Sequence, residues 1–173
     1  MKGRAIGFDG VLLLVCFFGG LVFGGLRPRL LAPEDYAALA AALGNFATDF
    51  AVATPAESLL RYIRPLGLIW ACAALPMLRR VAFLVVYLRA MTLAFSAAML
   101  HGVFGAVGLV MALALYGAQN VIVLPVYMYT AYFVAAKPVK VKTAGILAAI
   151  GVAAAVVAAV IEIYAAPVLF RGL

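Results

Sequence analysis

Charge is what this chain has least of: only 11% of its 173 residues are Asp, Glu, Lys or Arg, and it holds one histidine, one tryptophan and two cysteines. The cysteines, Cys16 and Cys72, lie in separate apolar segments without CxxC or Cys/His spacing. That excludes a disulfide framework and a zinc site, and the expectation is no metal and no cofactor. Hydrolysis inside a membrane would need paired aspartates, a serine with a base, or HExxH on a helix, and none is present. Ser96 and His101 are five positions apart and Ser96 lacks a Gly-x-Ser-x-Gly setting, so no catalytic residue is assigned and the chain is not expected to be an enzyme.

What is abundant is apolar surface. Hydrophobic residues make up 69% and the mean hydropathy is +1.21, more than a soluble domain of this size can bury. The composition implies an all-α, polytopic transmembrane helix bundle forming one integral membrane domain over residues 1–173. The net charge of +7 comes from basic residues that flank apolar segments, so it is read as a topology signal with no nucleic-acid partner; membrane lipid is the expected surround.

The first span covers Ile6 to Leu26, about 20 residues, enough for a hydrocarbon core of about 30 Å. It lacks an Ala-x-Ala exit and is followed directly by Arg27 and Arg29, so it is expected to be retained. Lys2 and Arg4 place the N-terminus in the cytoplasm. Residues 27–57 form the only long polar stretch, with Glu34, Asp35, Asp49 and Glu57, and are expected on the outer face. Within it Tyr36, Leu39, Leu43, Phe46 and Phe50 recur at spacings of three and four, one apolar stripe on a helix beginning after Pro33. The stripe suits packing on the membrane or bundle, or docking of a partner helix.

Thr54-Pro-Ala-Glu57 is a helix start, with a cap, a proline at the first helical position and a glutamate three residues after the cap. The second span runs from there to about Leu78, with Arg61 and Arg64 snorkelling outward, Trp70 in the core, and Arg79 and Arg80 at the cytoplasmic end. From Val81 to Leu100 a third apolar run carries Arg89 near its middle, where an unpaired arginine costs at least ~2.5–3.5 kcal/mol. Either Val81 to Leu88 is a short re-entrant helix, or Arg89 is paired inside the bundle, for example with Glu162.

Gly102 to Ala136 is long for one span and short for two, and the polar block Gln119-Asn120 with Pro125 divides it, which predicts a broken helix. Lys137, Lys140 and Lys142 mark the cytoplasmic side, and Thr143 to Ala166 makes the last span. Parity favours five crossings, with six as the alternative. Small residues, Gly102, Gly105, Gly108 and the alanines from Ala148 to Ala159, serve close helix packing or a homo-oligomer. Gln119 and Asn120 suit either interhelical hydrogen bonding or a bound solute. His101 is an interfacial or a titrating group, and Glu162 is near the interface or paired to an arginine.

In order and spacing these features resemble the stage II sporulation protein M family. A first span follows a short basic N-terminus; after an outer amphipathic segment come Ile69-Trp70, Leu75-Pro76-Met77-Leu78, a basic residue at Arg89, and Ala118-Gln119-Asn120-Val-Ile-Val-Leu-Pro125. Ala118 stands where the family usually has proline, and Ala90 where glycine is usual. The resemblance implies a non-enzymatic scaffold in a bacterial cytoplasmic membrane. It would recruit or hold peptidoglycan-remodelling proteins, stage II sporulation proteins D and P, at the septum during forespore engulfment. The rival reading is a channel or permease for a small solute or ion, using Arg89, Asn120 and Glu162 at membrane depth.

Overall fold

A computed structural model describes residues 7–48, 54–136, 140–165 and 167–168. The described chain is helical, with no strand, as the apolar periodicity requires. Helix α1 spans Phe8–Leu26 and is followed by a 3-10 turn, Arg27–Leu30; α2 is Pro33–Thr48 and α3 is Pro55–Ala74. A second 3-10 turn, Pro76–Val81, leads into α4, Ala82–Phe104, which is followed by α5, Ala106–Ala112, and α6, Ala118–Ala136. Helix α7 is Val141–Val160. Two π-helical turns, Leu113–Gly117 and Ile161–Ala165, join α5 to α6 and extend α7.

Four helical stretches are long and apolar enough to cross a membrane: Phe8–Leu30, Pro76–Phe104, Ala106–Ala136 and Val141–Ala165. Large apolar side chains point outward along them, such as Val22, Leu113 and Val121 at 62%, 64% and 74% exposed, the pattern of an integral membrane protein solvated by lipid. Helix α3 falls outside that set because Arg61 and Arg64 dilute its hydropathy, yet it lies deep in the bundle: Tyr62, Leu66 and Ile69 are at most 5% exposed.

The direction of each helix follows from its contacts. Asp9 at the start of α1 pairs with Arg80 in the second 3-10 turn at 3.1 Å, so those two points share one end of the bundle. From there α1 and α4 run side by side in the same direction, Gly20 against Tyr87 and Gly24 against Met91. At the far end Tyr36 of α2 reaches Gly102 near the end of α4. Helix α3, 20 residues or about 30 Å at 1.5 Å per residue, therefore returns along the length of the bundle to the Asp9 end. Helix α7 runs antiparallel to α3, with Leu66 against Gly151 and Arg61 against Glu162.

The start of α3 is the capping box expected from Thr54 and Glu57. Thr54 Oγ1 accepts from the Glu57 amide at 3.4 Å and donates to Glu57 Oε2 at 2.9 Å, while the Thr54 amide donates to the same oxygen at 3.0 Å. The helix ends at Ala74, short of Leu78, because Pro76 lacks the amide needed to continue it. Trp70, Cys16 and Cys72 are half-buried against the main core, as expected of core residues, and both cysteines are free thiols.

Two expectations are corrected. Val81 to Leu88 is no separate re-entrant piece: α4 is one continuous helix of 23 residues with Arg89 inside it. Helical hydrogen bonds cost nothing extra around an arginine whose side chain faces neighbouring helices, so the backbone has no reason to turn back. The predicted break at Gln119-Asn120 is also absent, and Ala106–Ala136 is one helical stretch of 31 residues that takes up its surplus length through a π-helical turn. The chain breaks instead at Gly105, whose φ of +61° is readily available only to glycine. There α4 hands over to α5, which folds back so closely that a Cβ on Gly108 would overlap the Leu100 backbone.

Candidate functional site

Where α3, α4, α6 and the end of α7 meet, the apolar interior gives way to a layer of polar side chains. It begins with the π-helical turn Leu113–Gly117, which displaces the regular backbone ladder. The two amides one turn later fold back onto carbonyls of that turn. Gln119 Nε2 donates to the Leu115 carbonyl, and Asn120 Nδ2 donates to the Tyr116 carbonyl at 2.6 Å. Gln119 and Asn120 are 1% and 4% exposed. Satisfying backbone oxygens lets such polar groups exist at this depth, where each unmet group costs several kcal/mol. The amide pair thus acts within its own helix, and only Asn120 also reaches across to another.

That reach is to Arg89. Its Nη2 donates to Asn120 Oδ1 at 3.2 Å, and its guanidinium lies over the Tyr62 ring, 5.5 Å from the centroid. A half-buried arginine is thereby held by a neutral amide and an aromatic face. Its pairing with Glu162, one of the two arrangements expected, does not occur: Glu162 Oε1 is bonded by Arg61 Nη1. Arg61 is the seventh residue of a helix antiparallel to α7 and so meets the π-helical turn holding Glu162; its side chain is still 49% exposed, so the pairing adds to the outward snorkelling expected of it. The Tyr62 hydroxyl lies beside the Glu162 carboxylate, so one aromatic side chain stands between the two arginine sites.

The rest of the layer is tied to backbone. Pro65 cannot offer an amide to the Arg61 carbonyl, and one residue on, the Tyr62 carbonyl accepts from the Tyr127 hydroxyl at 2.6 Å, linking α3 to α6. Tyr62 and Tyr127 are among the largest fully buried side chains. Thr92 Oγ1 donates to the Arg89 carbonyl at 2.9 Å and Thr130 Oγ1 to the Val126 carbonyl at 2.7 Å. Pro125 sits inside α6 without ending it. Four buried polar atoms have no partner among the described residues: Ser58 Oγ, Arg89 Nε, Gln119 Oε1 and Glu162 Oε2. On one side of the layer a lateral groove of about 590 Å³ opens between α1, α4 and α6, lined by Phe17, Leu93, Tyr116, Asn120, Val121 and Pro125 among others.

The outer stripe is partly spoken for. Tyr36 is half-buried with its hydroxyl against Gly102, and Leu43 packs on the Leu100, Ala112 and Leu115 cluster. Leu39, on the same side of the helix, is 39% exposed at the edge of the seated stripe. The Phe46 side chain and Phe50 lie outside the described residues, as do Lys137 and Asp49. His101 is anchored at the end of α4, its Nδ1–H donating to the Gly105 carbonyl at 2.9 Å. The hydroxyl of Ser96 lies beside that of Tyr116. Among the described residues no cluster of His, Cys, Asp and Glu could hold a metal ion.

Two features went unread in the sequence. Gly20-Leu-Val-Phe-Gly24 is a GxxxG motif, the signal for close helix approach in a membrane, and it is buried against α4. The pairing of Arg61 with Glu162 had no local signal, because 101 positions separate the partners. No family model, no curated protein and no solved structure matches this chain.

Proposed function

We propose that this chain is a non-enzymatic membrane scaffold of the kind its sequence resembles, the stage II sporulation protein M family. In this reading it crosses the bacterial cytoplasmic membrane five times, α3 being the fifth crossing, with the N-terminus cytoplasmic and α2 on the outer side. Helix α2 presents its free face to peptidoglycan-remodelling partners, by resemblance stage II sporulation proteins D and P, during engulfment. The observation that carries the proposal is the seating of α2: Tyr36 and Leu43 fix the helix at the end of the bundle while Leu39, beside them on the same stripe, stays 39% exposed, so the edge of the stripe is left open to a partner. The engagement of Gln119 and Asn120 with their own helix is compatible with a bundle built to hold shape.

The test is affinity capture of the tagged full-length protein from sporulating cells, in mild detergent, beside Leu39→Glu. Capture of wall-remodelling proteins by the wild type, reduced at least tenfold in the variant at equal membrane level, is the expected result. Equal capture by both would contradict α2 as the docking element. One observation favours a permease instead: among the described residues Arg89 has no acidic partner, and its buried Nε has no hydrogen-bond partner. A chain captured alone, with a solute flux lost in Asn120→Ala, would turn the assignment to transport.

A further inference from the structure

At the end of the bundle where α1 and α4 finish, a second cavity of about 410 Å³ is lined by Gly25, Pro28, Arg29, Tyr36, His101 and Gly102, with Ala98. Three elements contribute one polar group each: Arg29 from the 3-10 turn, the Tyr36 hydroxyl from α2 and the His101 ring from α4. Arg29 and the Tyr36 hydroxyl can donate hydrogen bonds into the space, whereas His101, whose Nδ1–H is given to the Gly105 carbonyl, donates through Nε2 only as an imidazolium; among the described residues no carboxylate lines the space. The nearest acids in sequence, Glu34 and Asp35, stand in the exposed first turn of α2 and are not part of the lining. The arrangement is held in place. Pro28 is buried and fixes the turn that carries Arg29; Gly102 admits the Tyr36 hydroxyl where a Cβ would crowd it; and the Gly105 carbonyl holds the His101 ring through Nδ1–H.

We propose that this cavity is a binding site for a phosphate-bearing anion, with the headgroup of an anionic phospholipid as its source. An arginine guanidinium with a hydroxyl beside it, unopposed by an acid among the described residues, is a donor pair that recognises a phosphate, and the imidazole Nε2 completes the lining. The cavity lies where two of the four apolar spans end, at the level headgroups occupy. Leu26 and Leu30, 48% and 71% exposed on either side of the turn, offer the acyl chains an apolar surround. A lipid seated there would tie α1, α2 and α4 together. The site stands independently of the scaffold proposal, since it uses residues that α2 does not expose to partners.

The test uses the purified full-length protein, with native mass spectrometry to count retained phosphatidylglycerol against phosphatidylcholine, and thermal unfolding with added inorganic phosphate as a second arm. Retention of phosphatidylglycerol over phosphatidylcholine, falling at least tenfold in Arg29→Gln/His101→Gln and unchanged in Arg27→Gln, is the expected result. Arg27 is the control because it is an exposed cation two positions away that does not line the cavity. Tyr36→Phe, which removes only the hydroxyl, should give an intermediate loss. Stabilisation by inorganic phosphate alone, lost in the same double variant, would assign the site to free phosphate and overturn the lipid as its source. Equal retention of both lipids, or loss with Arg27→Gln as large as with the double variant, would overturn the site itself.

Discussion

Arg89 is the residue whose presence in an apolar run most needs a physical account, and Asn120 supplies most of it. A guanidinium left in a bundle interior without partners is costly, whereas removing the charge together with its partner is close to neutral. Asn120→Ala should therefore lower stability by about 1–3 kcal/mol, read as a fall in Tm in detergent, because it strands both Arg89 and the Tyr116 carbonyl. Adding Arg89→Met to that variant should recover part of the loss. If the double variant is no more stable than Asn120→Ala, the charge is not what Asn120 serves. The Asp9 to Arg80 pair is a different case. With side chains 23% and 64% exposed it contributes about 1 kcal/mol or less, and its value is in marking which ends of two helices coincide. Polar identity at Gln119, Asn120 and Arg89 was legible in the sequence, since such residues stand out in hydrocarbon. Their partners were not, because Arg89 had two chemically reasonable choices and only helix direction decides between Asn120 and Glu162.

Among the elements, the closest pair is α1 with α4, and glycine makes it possible. Gly20 and Gly24 let the two backbones touch, so a side chain at either position meets main chain that cannot yield like a flexible side chain. Gly24→Leu should force the helices apart and cost about 1–3 kcal/mol or more, seen as reduced folded yield and a lower Tm. Gly145→Ala, where a Cβ meets nothing within 4 Å, should be neutral or slightly stabilising. Equal effects at the two sites would show that the α1 to α4 contact is looser than described. The Thr54 and Glu57 cap was read correctly because capping is local chemistry. So was the value of small residues for close contact at Gly102, which receives Tyr36, and Gly108, which seats α5; Gly105 makes no close contact and serves the turn instead. The expected break at the amide block failed for an instructive reason. Gln119 and Asn120 bond carbonyls four residues earlier in their own helix, so they repair a π-helical turn and leave the helix continuous.

For the whole molecule the decisive question is the path of α3. Hydropathy alone selects four spans and passes over α3, whose Arg61 is answered by a tertiary contact with Glu162 that no window over the sequence can detect. Contacts place α3 along the full bundle between the Tyr36 and Asp9 ends, which puts α2 and the second 3-10 turn at opposite ends of the molecule. If the bundle sits across the membrane as proposed, those two segments face different compartments, and the docking role of α2 depends on it. The direct measurement is labelling of single cysteines, in a background where Cys16 and Cys72 are replaced, at Leu39 in α2 and at Met77, which is 95% exposed in the 3-10 turn. The account predicts that an impermeant maleimide added to intact protoplasts reacts at position 39 and reaches position 77 only after permeabilisation. Labelling of both positions from the same side would contradict the fifth crossing and, with it, the placement of α2 where cell-wall partners are found.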